Sequence, residues 1–273
     1  MMAIPVRAAA AALALLLAAA GGSLGEPVSR PEPADPLPWA AERTYADLVR
    51  LVLPGDGTAD FRHIGGEDMA NPLPAPVGPV RIAAVPLGPG GAQRLALLLD
   101  PGPVEDAAMA PAILALFDMA GEPRLVDAAD VGFDRFTGFA EPARLPLGGN
   151  DLLITSSVHW NSGQSYAATA LILVRGDRLE LVDTIFTLDE RTCAYERTQR
   201  LAVRSGAEGP FPDIAASVTE LTAATGADCG DAAVPEPGTR TIAATWRWDD
   251  DARRYIPDSD AFDALARENE TRF

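Results

Sequence analysis

Short apolar runs, broken at close intervals by Gly, Pro and Asp, dominate the chain from Val80 onward. Such runs with frequent turn residues are typical of antiparallel β-structure rather than of alternating β-α units. The sequence therefore predicts a mostly β protein, an antiparallel meander with propeller-like or sandwich-like packing. The predicted strands are Val80–Leu87, Arg94–Asp100, Ala112–Phe117, Arg124–Ala128, Leu152–Trp160, Tyr166–Arg175, Arg178–Leu188, Arg197–Arg204, Thr239–Trp248 and Arg253–Ile256.

Helical periodicity replaces this pattern at both ends of the β-region. An apolar stripe at spacings of three and four residues predicts an N-terminal helix from about Trp39 to Leu53. A C-terminal helix is expected to begin after Ser259 or Asp260, which suit the capping position, and to dock through the stripe that starts at Phe262.

The strand pairing of one hairpin can be predicted residue by residue, because Asn161-Ser162-Gly163-Gln164 has the composition of a turn. Folding there pairs Trp160 with Ser165 and His159 with Tyr166. Because side chains alternate along a strand, Trp160 falls on one face and His159 and Tyr166 on the other. The strands that follow are apolar on both faces, which predicts that this meander is a doubly covered part of the sheet.

A short motif recurs along the chain, since Leu125–Ala128 is similar to Leu181–Thr184 and each closes a set of three predicted strands. A three-strand unit has the size of a propeller blade. Gly149–Ile154, followed by two hairpins, resembles the FG-GAP and integrin-α-like blades of secreted β-repeat proteins over about 60 residues. The alternating aspartates of that family's metal loop are absent, and Leu145–Gly149 stands in their place. The resemblance therefore implies a secreted β-repeat fold without a calcium site.

The N-terminus predicts export. Residues 1–25 have the form of a signal peptide, with Arg7, the uncharged run Ala8–Ala20 and small residues up to Gly25. The run is shorter than the roughly 20 residues of a membrane span, so we expect no transmembrane segment in the mature chain and a periplasmic or secreted location. The proline-rich residues 26–37 are expected to form a tether, and residues 38–273 a single β-rich domain.

Cys193 and Cys229 are the two cysteines of the chain. In an exported protein such a pair predicts one disulfide bond. The alternative is a redox-active or nucleophilic pair, which the wide spacing and the lack of a C-x-x-C motif disfavour.

Composition excludes several classes of chemistry. All 22 cationic residues are arginine, so a lysine Schiff base, a P-loop lysine and a Ser-Lys dyad are absent. The formal net charge of −17 repels phosphate backbones, so nucleic acid is not an expected partner.

With two histidines a three-His zinc site cannot form, and a shared site of His63, His159 and a carboxylate is a minor alternative. We expect no cofactor and assign no metal ligand; acidic turns such as Asp249–Asp251 lack the EF-hand spacing.

The hairpin tip is the strongest candidate site, because it joins aromatic, amide and titratable side chains between apolar strands. A small polar ligand or sugar could be held there by hydrogen bonds and ring stacking. The alternative is an ordinary tip with Trp160 in the core and His159 paired with Tyr166. The candidate ligand-binding residues are His159, Trp160, Asn161, Gln164 and Tyr166.

The expected function is that of an exported, non-enzymatic binding or interaction protein of the cell envelope, with an envelope protein or glycan as partner. The alternative is a periplasmic hydrolase that uses carboxylates or a Ser-His pair near His159. Ser157, Ser162 and Ser165 are close to His159 in sequence, but a G-x-S-x-G nucleophile elbow is absent and no catalytic residue is assigned.

Overall fold

The computed structural model describes residues 28–54, 60–66, 69, 73, 80–88, 94–102, 109–227, 229 and 235–272, and the predicted signal peptide lies outside these ranges. The described residues form fourteen strands and two helices. The strands are β1 (Pro36–Leu37), β2 (Ala40–Thr44), β3 (Arg81–Leu87), β4 (Arg94–Asp100), β5 (Ile113–Asp118), β6 (Arg124–Asp130), β7 (Phe136–Leu147), β8 (Asn150–Trp160), β9 (Gln164–Arg175), β10 (Arg178–Arg191), β11 (Tyr195–Ser205), β12 (Ile214–Ala224), β13 (Gly238–Asp249) and β14 (Arg254–Pro257). The helices are α1 (Tyr45–Val52) and α2 (Ala261–Glu270).

Two antiparallel meanders contain most of these strands, which confirms the predicted fold class. β3 to β6 form a four-stranded sheet and β7 to β14 an eight-stranded sheet, each with its strands in sequence order. Neither sheet closes on itself within the described residues. Short turns favour this order where they occur, since a two-residue hairpin such as those between β7 and β8 and between β9 and β10 can join only neighbouring antiparallel strands.

The strands β8 to β10 form the centre of the protein, as their apolar residues on both faces predicted. One face packs with the inner face of the small sheet, where Leu153 and Ile172 meet Leu98 and Leu114. The other face packs with the later strands of the same sheet and with α2, in a core that contains Trp246. The large sheet therefore curls over its own second half. The two three-strand units that share the Leu-Val-Asp motif belong to different sheets.

The N-terminal helix is shorter than the sequence predicted. It begins at Tyr45 rather than near Trp39, because Thr44 and Asp47 form a capping box in which the Asp47 carboxylate accepts the backbone N–H of Thr44 at 2.7 Å. Ala40–Thr44 pairs with β1 instead. Helix α1 then covers the outer face of the small sheet through Leu48 and its neighbours.

The described part of the proline-rich segment lies against the small sheet and α1. The backbone of Ser29 exchanges hydrogen bonds with that of Ala84 in β3, at 3.0 and 2.9 Å, and Leu37 is buried. Burial of Leu37 under α1 gives this segment a fixed position despite its proline content.

Besides the short strands β1 and β2, two long strands of the large sheet, β7 and β12, were missed by the sequence pattern. β7 contains Pro142 and Pro146, which a central strand would not tolerate, but it is the edge of the large sheet and its register shifts between Phe139 and Arg144. β12 does alternate between buried and exposed positions, yet several of its buried residues are small or polar, such as Ala216 and Thr222. The apolar alternation of β12 is therefore too weak to predict a strand from the sequence.

A buried ion pair links the two sheets. Arg144 Nε of β7 donates to Asp151 Oδ1 of β8 at 2.6 Å, and the backbone N–H of Gly88, after β3, donates to Asp151 Oδ2 at 2.9 Å. Both charged side chains are about nine-tenths buried.

The predicted disulfide is present. Cys193 and Cys229 are bonded, with Cα atoms 5.9 Å apart and a sequence separation of 36. The bond ties the turn between β10 and β11 to the segment after β12. In the described part of the chain, neither helix is long and apolar enough to cross a membrane.

Candidate functional site

The β8–β9 hairpin has the register that its turn predicted. His159 faces Tyr166 and Trp160 faces Ser165. The side-chain oxygen of Asn161 accepts the backbone N–H groups of Gly163 and Gln164 at 3.0 and 2.9 Å, which fixes the turn. This local hydrogen bonding explains why four residues suffice to set the pairing of two long strands.

The five candidate residues do not form one site. His159 and Tyr166 line a pocket on one face of the hairpin. Trp160 stacks on Phe136 of β7 and remains 57% exposed, so the alternative that places Trp160 in the core is wrong. Asn161 belongs to the turn itself.

Gln164 supports a wall of this pocket rather than lining it. Its side-chain amide donates to the backbone carbonyl of Arg272 at 2.8 Å, at the end of α2. Gln164 thereby ties the hairpin tip to the last helix, which forms a wall of the pocket.

The pocket has a volume of about 530 Å³ and lies between the hairpin, β10, α2 and the loop 132–135. Three aromatic rings belong to its lining, those of Phe133, Tyr166 and Phe186. Tyr166 and Phe186 stack with centroids 5.7 Å apart. A concave space of this size with aromatic walls is typical of small-molecule sites.

His159 carries a carboxylate partner that sequence reasoning missed. Its Nδ1 lies 3.1 Å from Oδ1 of Asp134, a side chain that is 12% exposed while that of His159 is 37% exposed. In a neutral imidazole, a hydrogen bond to an ionised carboxylate places the ring proton on Nδ1 and leaves Nε2 as an acceptor. Asp134 is 25 residues from His159 and is one of 39 acids, so no spacing in the sequence singles it out.

The loop that presents Asp134 is fixed from several sides. The carboxylate of Asp130 accepts the backbone N–H of Gly132 at 2.9 Å, and the hydroxyl of Ser157 accepts that of Phe133 at 3.0 Å. His63 Nε2 lies 3.0 Å from the carbonyl of Gly132. The position of Asp134 is therefore set by the fold before any ligand arrives.

Ser157 and His63 are used structurally in this arrangement. The hydroxyl of Ser157 is buried and shares a 2.8 Å hydrogen bond with that of Thr137 in addition to accepting from Phe133. His63 Nδ1 accepts the N–H of Gly65 at 3.0 Å, so both of its nitrogens bind backbone groups. The shared His63–His159 metal site is therefore wrong. Within the described ranges, no cluster of three or more His, Cys, Asp or Glu residues could hold a metal ion.

The acidic turns near the C-terminus also have backbone roles. Asp249 accepts the N–H of Ala252 at 2.7 Å, and Asp258 accepts that of Thr245 at 3.0 Å. Aspartates at such turns replace missing backbone partners.

Tyr166 keeps its phenolic proton at neutral pH. Burial, together with the negative charges of Asp134 and Glu270, raises the pKa of Tyr166 to about 12. The carboxylates of Asp134 and Glu270 therefore both lie close enough to the phenol for their charges to act on it. The pocket is lined by these two acids and by one guanidinium, that of Arg135.

A buried polar network holds α2 in place beside the pocket. Asn269, which lines the pocket, exchanges hydrogen bonds with the side chain of Gln199 at 3.0 Å. Gln199 donates to Oε2 of Glu220 at 2.7 Å, and Arg272 donates to the same oxygen at 2.8 Å. The carboxylate of Glu220 therefore helps to hold the wall formed by α2, in addition to the apolar docking of Phe262 and Leu265.

Comparisons with protein-family models, with curated proteins and with solved structures found no match. The resemblance to FG-GAP and integrin-α-like blades stays a prediction.

Proposed function

We propose that this protein is an exported, non-enzymatic binding protein that takes a small ligand in the pocket between the β8–β9 hairpin and α2. The observation that carries the proposal is the 530 Å³ cavity, in which aromatic walls surround the fixed His159–Asp134 pair. Sites with an apolar body and a few placed polar groups are typical of small-molecule recognition.

The lining favours a ligand with an aromatic or aliphatic body and a cationic amine. Phe133, Tyr166 and Phe186 offer ring faces, which attract cations. The carboxylates of Asp134 and Glu270 outnumber the guanidinium of Arg135. An ammonium group is thus attracted by both the charges and the rings, and it can donate a hydrogen bond to Nε2 of His159.

Export is proposed from two features of the chain. The apolar run Ala8–Ala20 behind Arg7 has the form of a signal peptide. The Cys193–Cys229 disulfide is typical of periplasmic and secreted proteins, because the cytosol keeps thiols reduced. We accordingly propose a periplasmic or secreted location, with an envelope protein or glycan as a partner.

The second candidate function is hydrolysis, and the Asp134–His159 pair is the observation that favours it. A carboxylate that holds the imidazole leaves Nε2 able to accept a proton from a water molecule or a substrate hydroxyl. The hydroxyl of Ser157 is not the nucleophile of such a site, because Thr137 and Phe133 occupy it.

Calorimetric titration with 2-phenylethylamine, 2-phenylethanol and phenylacetate tests the binding proposal. The amine should bind more tightly than its neutral and anionic counterparts. Glu270→Gln and Tyr166→Leu should each weaken amine binding by about tenfold, which corresponds to about 1.4 kcal/mol of charge or cation–π attraction. Trp160→Ala is the matched control, because this residue lies on the opposite face of the same hairpin.

Equal affinity for the three compounds, or equal effects of the pocket variants and Trp160→Ala, would contradict the proposal. Release of p-nitrophenol from p-nitrophenyl acetate, abolished by His159→Gln but retained in Trp160→Ala, would instead favour hydrolysis.

A further inference from the structure

The opposite face of the hairpin carries a row of stacked planar groups. Trp160 stacks on Phe136 with centroids 4.9 Å apart and ring planes inclined by 18°. The guanidinium of Arg81, in β3, lies over the same Phe136 ring at 5.9 Å from its centroid. The row joins both sheets, and its outermost member is also the most exposed of the large apolar residues described.

A cleft of about 390 Å³ lies beside this row, between β3 and β4 of the small sheet and β7 and β8 of the large one. Its polar lining includes Arg30, Arg81 and Asp100. Asp100 is bonded to Arg81 at 2.5 Å and accepts the backbone N–H of Gly102 at 2.7 Å, so its charge is compensated. Among the described residues no carboxylate lies within 4.0 Å of Arg30, which is exposed.

The charge of the cleft is opposite to that of the protein. Two guanidinium groups face one carboxylate here, whereas the whole chain carries a formal charge of −17. An anion is therefore attracted locally but repelled by the remainder of the surface. This combination favours a short anionic ligand that reaches the cleft, and it disfavours a long polyanion such as nucleic acid.

We propose that the row Trp160–Phe136–Arg81 and the adjoining cleft bind a short acidic saccharide that contains uronic acid units. A pyranose ring presents a flat face of C–H bonds, which packs on an exposed indole in the way an apolar group does. A uronate carboxylate carries a charge that a guanidinium can bind through two parallel hydrogen bonds. Trp160 and Arg81 both contact Phe136, so the three groups form a continuous row. A di- or trisaccharide is long enough to cover this row.

This second site is independent of the amine pocket. Its residues lie on the face of β8 that Val158 and Trp160 share, whereas His159 points to the pocket. A failure of either proposal therefore leaves the other in place.

Titration with trigalacturonate, monitored by calorimetry on the full exported chain, tests the inference. Its neutral counterpart, a galactose trisaccharide, is the ligand control. Trp160→Ala and Arg30→Gln should each weaken trigalacturonate binding by about tenfold, and raising the salt concentration should weaken it further, because part of the attraction is electrostatic. Trp39→Ala is the matched control for loss of an exposed tryptophan, and His159→Gln controls for the other face.

Thermal unfolding of each variant shows whether it is folded, and both changed residues are exposed. Trp160→Phe, which retains a smaller ring, should have intermediate affinity. Equal binding of the neutral and acidic trisaccharides would overturn the proposal, as would equal losses in Trp160→Ala and Trp39→Ala. Tight binding of phenylacetate with no binding of trigalacturonate would also overturn it, since it would identify the row as a site for aromatic acids.

Discussion

Replacing Glu220 by glutamine tests whether one buried carboxylate holds the α2 wall of the pocket. Glu220 lies in β12 with its side chain 7% exposed. Arg240 donates to Oε1 at 2.8 Å, and Arg272 and Gln199 donate to Oε2 at 2.8 and 2.7 Å. Glutamine keeps the shape of the side chain but removes its charge and turns one acceptor into a donor.

The magnitude follows from the pKa of Glu220. Burial by itself raises this pKa, but the hydrogen bonds from Arg240, Arg272 and Gln199 outweigh burial and lower the pKa from 4.5 to about 2. A carboxylate with a depressed pKa stabilises the fold above its unfolded-state pKa, and this contribution disappears as pH falls through the folded-state pKa. The contribution is about 3 kcal/mol at pH 7 and about 1 kcal/mol at pH 3.

Urea unfolding of the wild type and Glu220→Gln, measured from pH 7 to pH 3, is the assay. The variant should be less stable by about 3 kcal/mol at pH 7, and the difference should shrink as the solution is acidified. Glu196→Gln is the matched control, because Glu196 is an exposed glutamate on the neighbouring strand β11. A loss at pH 7 no larger than that of the control, or a difference that stays constant down to pH 3, would refute the reasoning.

Two further predictions concern covalent and ionic links between elements. The double substitution Cys193→Ser/Cys229→Ser should lower the free energy of unfolding by about 3–4 kcal/mol, because the 36-residue loop is no longer closed in the unfolded chain. Urea unfolding at pH 7 measures this loss, and an unchanged unfolding midpoint would contradict the prediction. Arg144→Leu should destabilise the protein by about 3–5 kcal/mol, because it removes the guanidinium from the buried Asp151 carboxylate. Arg144→Leu/Asp151→Leu should recover most of this loss in the same assay, and a double variant as unstable as the single one would exclude an unpaired charge as the cause.

Much of the fold could be predicted because it depends on local chemistry. The Asn161 turn sets the register of β8 and β9 through hydrogen bonds within four residues, so His159 and Tyr166 were correctly paired. Edge strand β7 was not predicted, because its prolines are tolerated only at a sheet edge with a register shift, which the sequence does not reveal. The start of α1 was placed too early, because the pairing of β1 with β2 competes with helix before Thr44.

The candidate site was predicted only in part. His159 and Tyr166 line the pocket, as the alternation of the hairpin suggested, but Asp134, Phe186 and Glu270 reach it from a loop, another strand and the last helix. These residues share no motif, and their meeting depends on how the sheet curls and where α2 docks.

By itself the sequence determined the antiparallel β class, the disulfide partners and the alternation of side chains along the hairpin, because each depends on turn composition, cysteine number or the two-residue period of a strand. Only the tertiary structure decided what covers each face of that hairpin. It placed His159 in a pocket beside Asp134 and left Trp160 exposed on Phe136. One-residue alternation separates the two side chains, but long-range packing against different elements gives them different surroundings.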